Sequence, residues 1–474
     1  MTIYFNNIRN YIFKNKNTLL IISVLFLLTF SVRVFLMLDI FKHPANPGLI
    51  NINGEVARNI IDHKGLVIND DNLQLISQKE KQENRLINPE EIVSSSVTSY
   101  YQPFYDNEIG YPIFLSLVWK LTRRKEYVFP ILFQIILAGL ASICVFQMAR
   151  KFMPLGFAFL SALLYSFYIP EAKLNVLPFQ YAWIGLIAVF STWLIIKIKT
   201  VKNAKLIYFL SILLGLFYGI GASMRSTLIF LPLVSIIVFF TSFQFKRALK
   251  LSLLILVFFG LIISFYYLYN SSQFNEGRIV RRTFWHSIAV GLGQFPNPWG
   301  FLPIDGSIGD FVGDNNPDLL NPTYPNVRSE QFLKEKIINE ISKNPMWYIG
   351  TVIERIPIAI FPFHWAMING SIQSKYENSQ RIFYLVPYNQ KVLLDTFILS
   401  LWIALALVGM YFMRKQWILI LPLLGTWLYF IGVHSLIFVQ PGYIYPVGFI
   451  YAIFSACALY KLKAVWGKKF NLSR

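Results

Sequence analysis

Cysteine is almost missing from this chain: 474 residues hold two, Cys144 and Cys457, each inside an apolar run. Two isolated thiols suggest neither a disulfide framework nor a metal site, so they leave the redox compartment unread. Charge is scarce as well, at 14% of residues against roughly 25% in soluble proteins. Acids are the scarcer sign, 24 Asp and Glu against 43 Lys and Arg, and there are five His. No nucleotide-phosphate loop occurs. Nor does an internal repeat of the inverted kind common in transporters.

What fills the space is apolar. The chain is 55% hydrophobic with 43 Phe, and its mean hydropathy is +0.50. A soluble domain of this size cannot hide that much apolar surface, so the composition reads as an all-α polytopic membrane protein. The formal charge of +19 would suggest nucleic acid in a soluble protein. Here the basic residues sit in short links between apolar runs, the pattern of loops facing anionic lipid, and nucleic acid is not expected as a partner.

Runs long enough to span, at about 20 residues each, fall near 18–40, 127–149, 154–170, 178–197, 206–224, 227–244, 251–270, 391–413, 416–436 and 441–461. The first is preceded by Arg9, Lys14 and Lys16. It exceeds a signal-peptide core and lacks a small-x-small cleavage site, so an uncleaved helix is expected. With the N-terminus in the cytoplasm, the inside links receive Arg150 and Lys151; Lys197, Lys199, Lys202 and Lys205; Lys246, Arg247 and Lys250; Arg414 and Lys415; and the basic C-terminal end. Every dense basic cluster lands on one side, which sets the orientation of a multi-pass protein of the cell membrane with both termini cytoplasmic.

Two long polar segments then face outward. Residues 42–109 carry ten acids against six Lys and Arg, and residues 271–346 carry eight against seven. Helical patterns run through both. "GEVARNIIDHKG" puts Val56, Ile60 and Ile61 on one face, and "SEQFLKEKIINEISKNP" starts at a serine cap, Ser329, and stops before Pro345. Residues 110–121 are apolar but too short to cross, and end in Thr122-Arg123-Arg124-Lys125. They read as a helix in the outer interface touching lipid phosphates, and so does "MWYIGTVIERIPIAIFPFHWA" at 346–366. Directly before the first of these stands "YYQPFYDNEIGYP", with Asp106 and Glu108 where the chain meets the membrane.

Several stretches carry a resemblance: "EVARNIIDHKG", "GYPIFLSLVWKL", "GLFYGIGASMRSTLIFLPL", "ISKNPMWYIGTVIERI" and "VQPGYIYPVGFIYAI". In order and spacing they resemble the GT-C superfamily of polytopic glycosyltransferases, in its protein mannosyltransferase and aminoarabinose transferase-like branch (glycosyltransferase family 39-like). Each motif alone is weak, and together they run nearly end to end. The resemblance implies a GT-C-type bundle of about 10–13 spans of the usual length. It also implies one domain over 1–461, with a first outer loop at 42–109, an interfacial helix at 110–125, a second outer segment at 271–390 and a cytoplasmic tail at 462–474. The implied activity moves a sugar from a polyprenyl-phosphate carrier to an acceptor hydroxyl on the outer face, with inversion. The acceptor, whether protein, lipid or glycan, stays open.

That chemistry needs a carboxylate to take the proton of the hydroxyl, cations for the phosphate, and an apolar groove for the lipid tail. Where the family has an acid before the alanine of "ARN", this chain has Leu49, and the nearest acid is Glu55. Glu55, Asp106 and Glu108 are therefore the expected bases, each alternatively a plain loop or helix-terminal acid. Arg225, matching the family's arginine at a helix end, is the expected phosphate ligand, with Arg58, Arg281, Arg282 and His286 as further candidates; an internal ion pair or contact with lipid headgroups is the plainer reading. Tyr105, Tyr111 and Tyr443 are expected to line the site, while the arginine of the family's last motif is replaced by Gly442. No cofactor is expected, although a divalent metal stays open. A transporter or flippase of polyprenyl-linked sugars, or an outer-face glycan ligase or polymerase, are the competing readings.

The orientation is directly testable. A cysteine at position 85 should react with an impermeant thiol reagent in intact cells and one at position 202 should not. The reverse pattern would overturn the topology.

Overall fold

The computed structural model describes residues 16–42, 47–83, 85–88, 91, 102–104, 108–274, 283–295, 297–320, 326–361 and 390–472. Over these the chain is helical from end to end apart from one two-stranded pairing. It begins with α1 (Lys16–Lys42) and continues into the first polar segment with α2 (Pro47–Ile61), β1 (Val67–Ile68), α3 (Asp70–Glu83) and β2 (Gln102–Pro103). Then come α4 (Gly110–Thr122), α5 (Val128–Ala149), α6 (Leu155–Ser166), α7 (Ile169–Asn175), α8 (Tyr181–Thr200), α9 (Ala204–Met224), α10 (Pro232–Ser242) and α11 (Phe245–Phe274). The second polar segment forms α12 (Phe284–Leu292), α13 (Asp305–Asn315), α14 (Val327–Lys343) and α15 (Pro345–Ile360). The chain closes with α16 (Gln390–Met413), α17 (Trp417–Leu436), the short α18 (Pro441–Ile444) and α19 (Gly448–Leu472).

All ten apolar runs are mainly helical, but the run at 227–244 forms the shorter apolar helix Ser226–Ser242, opened by a 3-10 turn, rather than a full-length span. Among the described residues, seven helical stretches are long and apolar enough to cross a membrane, or eight if the bent pair α6 and α7 forms one span. One stretch, Ile398–Leu436, is 39 residues long. That is about 58 Å of helix, twice the hydrocarbon thickness, and the basic 3-10 turn Arg414–Gln416 divides it into α16 and α17. The run at 154–170 is not the straight span its composition suggests: α6 and α7 meet at 59°. Pro170 is the cause, because it has no N–H for the carbonyl of Ser166 and its ring crowds that carbonyl.

Close helix contact rests on small residues, as expected where lipid is as apolar as the side chains. A Cβ on Gly409 would run into the Phe454 carbonyl, so α16 and α19 touch backbone to backbone. On the polar side, α2 packs on α4, and β1 pairs antiparallel with β2. Arg85 holds the end of α3 down by donating to both oxygens of Glu91, from Nη1 at 2.9 Å and from Nη2. That hydrogen bonding draws the Glu91 carboxyl down to about 2. Helices α12 to α15 form their own small core around Ile288, Leu292, Ile308 and Leu333.

Two details differ from expectation or refine it. The cap of α14 is Asn326, whose side chain accepts from Ser329 N, while Ser329 returns the bond as the third residue of a capping box. The cap therefore lies three residues before the expected Ser329: Ser and Asn serve equally well at an N-cap, and residue type alone places a helix boundary only to within a few residues. Each of the two amphipathic segments, over its described residues, exposes one apolar face: Ile113, Leu117 and Leu121 on α4, and Met346, Ile349, Ile353 and Ile356 on α15.

Replacing Gly409 by leucine should separate α16 from α19 and cost about 1–3 kcal/mol. The expected readout is a lower melting temperature in detergent. An unchanged melting temperature would mean that the two helices do not rely on this contact.

Candidate active site

Glu108 stands just before α4, and Gly110 decides where it goes. A Cβ at Gly110 would lie 2.7 Å from the backbone of Ser223, so only glycine lets α4 start against the end of α9. Helix α9 stops at Met224. Arg225 is extended, and a 3-10 turn follows at Ser226–Leu228. The break frees the backbone N–H of Ser226, which donates to Glu108 Oε1 at 3.1 Å, and the Ser226 hydroxyl donates to the same oxygen at 2.9 Å. Gln180 Nε2 donates to Glu108 Oε2 at 3.3 Å, with Arg225 Nη1 3.9 Å from that oxygen. The four groups are all donors, and the carboxylate they surround is 0% exposed.

Arg225 is 6% exposed. Its guanidinium lies between the rings of Tyr181 and Tyr443, 5.4 and 5.0 Å from their centroids. The Tyr181 hydroxyl donates to that of Tyr443 at 3.3 Å, and His434 stacks on Tyr443 at 5.1 Å. A desolvated cation held on aromatic faces gains about 2 kcal/mol or more from them. Asn53, on α2, donates to Gln180 Oε1 at 3.5 Å, which turns the amide nitrogen of Gln180 toward Glu108. Tyr181 opens α8, whereas Lys197 and Lys199 close it. The site and the basic clusters therefore sit at opposite ends of the same helices.

The other expected residues lie elsewhere. Asn53 and Glu55 are two positions apart on α2, about 200° around the helix, so they face opposite ways. Glu55 is buried, with Oε1 accepting from Asn59 at 3.2 Å and from Asn72 at 2.9 Å. Its Oε2 lies 3.9 Å from Arg58 Nη1 and accepts no hydrogen bond among the described residues. Arg58 also approaches Asp62 at 3.6 Å, and Lys125 donates to Asp62 at 2.7 Å. His286 belongs to the second polar unit: its Nε2 meets Asp305 Oδ1 at 2.8 Å, and Glu330 accepts the backbone N–H groups of Trp285 and His286. Tyr111, in the first turn of α4, is fully buried and donates to Gln134 at 2.9 Å. Tyr105, Asp106, Arg281 and Arg282 lie outside the described residues. No cluster of three or more His, Cys, Asp and Glu able to hold a metal occurs among the described residues.

Of the expected residues, then, the structure brings together Glu108, Arg225 and Tyr443. Gln180, Tyr181, Ser226, Asn53 and His434 join them without having been foreseen. His434 had a usable signal, a polar residue within an apolar run near its end, which in a membrane must find a partner.

The fold is that of a polytopic membrane protein built, over the described residues, almost entirely of helices. Over 98% of its length the chain aligns with archaeal oligosaccharyltransferase AglB from Archaeoglobus fulgidus, solved in complex with an inhibitory peptide and a dolichol-phosphate, with a TM-score of 0.51 and 12% sequence identity. The chain spans about half of that protein, 52% of its length. No protein-family model matches the sequence, and no curated protein does.

Removing one member of a buried ion pair leaves the other uncompensated, at about 3–5 kcal/mol. Arg225→Met alone should therefore lower the melting temperature sharply, and adding Glu108→Gln should recover most of the loss. Strictly additive losses would show that the two residues are not energetically paired.

Proposed function

We propose that this chain is a membrane glycosyltransferase of the protein mannosyltransferase and aminoarabinose transferase-like kind. It moves a sugar from a polyprenyl-phosphate carrier to an acceptor hydroxyl on the outer face of the cell membrane. The observation that carries the reading is the buried Glu108–Arg225 pair at the end of the bundle opposite the basic clusters. The positive-inside rule makes that end the outer one. The likeness to a protein solved with a dolichol-phosphate supports a lipid-phosphate donor.

At 3.9 Å the pair is longer than a direct charge-assisted hydrogen bond of about 2.7–2.9 Å. A donor phosphate oxygen can take Arg225 in exchange for the carboxylate. The displaced Glu108 then accepts the proton of the incoming hydroxyl. The acceptor oxygen attacks the anomeric carbon as the bond from that carbon to the phosphate oxygen breaks. Polyprenyl phosphate leaves, Glu108 holds the proton, and the anomeric configuration inverts. Of the three acids expected as base, Glu108 is thus our assignment, with Tyr443 and Tyr181 flanking the phosphate.

The test compares surface glycolipids and glycoproteins in a deletion strain complemented with wild type, Glu108→Gln, Asp106→Asn or Glu55→Gln at equal expression. Loss of a general base lowers rate by ~10²–10⁴-fold, so Glu108→Gln should abolish the sugar product while Glu55→Gln retains it. If all three variants keep more than about a tenth of the product, beyond what losing a base allows, the transporter reading replaces this one.

A further inference from the structure

We propose that Arg33 and Gln134, two residues buried in the apolar bundle, are positioning residues for the Glu108–Arg225 site. They act by holding the turn at 175–180 that delivers Gln180 and Tyr181. The inference rests on the reading of that pair as the reacting site.

It starts at Pro170. Because proline cannot donate to the Ser166 carbonyl, α6 ends there, and Arg33 Nη1 from α1 supplies a donor instead, at 3.3 Å. The same guanidinium donates through Nε to Asn175 Oδ1, the last residue of α7, at 2.8 Å. One arginine thus bridges the ends of both pieces of the broken span. Helix α7 has seven residues, too few to hold its own shape. An arginine buried in a span is costly unless its donors are used; here Nε and Nη1 go to the break, Nη1 also reaching the Thr29 carbonyl at 3.4 Å, and Nη2 has no hydrogen-bond partner among the described residues.

Gln134, on α5, is also 0% exposed. Its Nε2 donates to the carbonyls of Asn175 and Leu177, at 3.0 and 2.9 Å, and its Oε1 accepts from Tyr111. Tyr111 is three residues beyond Glu108, and Gln180 is three beyond Leu177. Since Gln180 donates to Glu108, the links close into a ring: Glu108, Tyr111, Gln134, the turn, Gln180 and back to Glu108. Opening the ring at Gln134 frees the turn and with it the amide and the aromatic face that Glu108 and Arg225 rest on.

The test uses full-length protein in nanodiscs, with dolichyl phosphate as the probe. Gln134→Leu is set against Gln147→Leu, an amide on the same helix that accepts from Trp193 at 3.0 Å and lies off the ring. Dolichyl phosphate should bind at least tenfold more weakly to Gln134→Leu and within twofold of wild type to Gln147→Leu. Arg33→Lys, which keeps the charge but not the fork that bridges Ser166 and Asn175, should also weaken binding tenfold while remaining folded. Independently of any ligand, the melting-temperature losses of Gln134→Leu and Gln180→Leu should be less than additive in the double variant. Equal binding by Gln134→Leu and Gln147→Leu, or additive losses, would overturn the inference. A wild-type protein that binds no dolichyl phosphate would instead count against the proposed function, and the melting cycle would then decide the inference alone.

Discussion

A carboxylate and a guanidinium taken out of water together is the constraint around which this molecule is arranged. Moving either charge into an apolar bundle costs several kcal/mol, and their attraction offsets that only when the remaining donors and acceptors are also used. The surroundings meet that condition for Glu108, both of whose oxygens accept hydrogen bonds, and cover Arg225 with aromatic faces, while Arg225 Nε has no hydrogen-bond partner among the described residues. Helix α9 ends one residue early enough to release the Ser226 N–H, Gly110 brings α4 close, and two tyrosine rings cover the cation. None of these features makes sense for a helix end that meets only lipid.

The same condition explains why irregular backbone is found where it is. Inside a bilayer an unpaired carbonyl has no water to turn to, so a break such as that between α6 and α7 must be answered by a side chain. Arg33 answers it. Arg355 does the equivalent work on the polar side, donating to the carbonyls of Gly291, Ser435 and Leu436 and so tying α15 to the ends of α12 and α17. His434, next to Ser435 on α17, reaches the Arg225 cage through Tyr443. Cations bonded to helix C-termini are favoured by the dipole as well as by hydrogen bonding.

How much of this could be read from the sequence follows from the range of each effect. Apolar length is a local property, so the helical character of the ten apolar runs was legible, although those at 154–170 and 227–244 are bent or too short to be the straight spans expected. Glu108 and Arg225 were each legible too, one from a carboxylate at the membrane boundary and the other from a lone charge at a helix end. Their pairing was not, since the residues are more than a hundred positions apart. The separation of Glu55 from Glu108 was equally hidden. It depends on which face of α2 meets Gln180 at the start of α8, and Asn53 rather than Glu55 takes that face. Gln180 and Tyr181 look like the polar start of an ordinary span, and the bend at Pro170 that positions them is invisible to a hydropathy average.

Helix α2 has one more consequence. One side of it, through Glu55, is bonded to α3 in the polar loop, and the other, through Asn53, is bonded to Gln180. It is a crossbeam about one helix diameter thick, roughly 10 Å, with a solvent-side load on one face and the charged pair on the other. The loop's folding and the amide's alignment are therefore one equilibrium. A change that loosens Asn72 from Glu55 would reach Gln180 through Asn53, so the α2–α3 part of the polar segment bears on the charged pair without contacting Arg225.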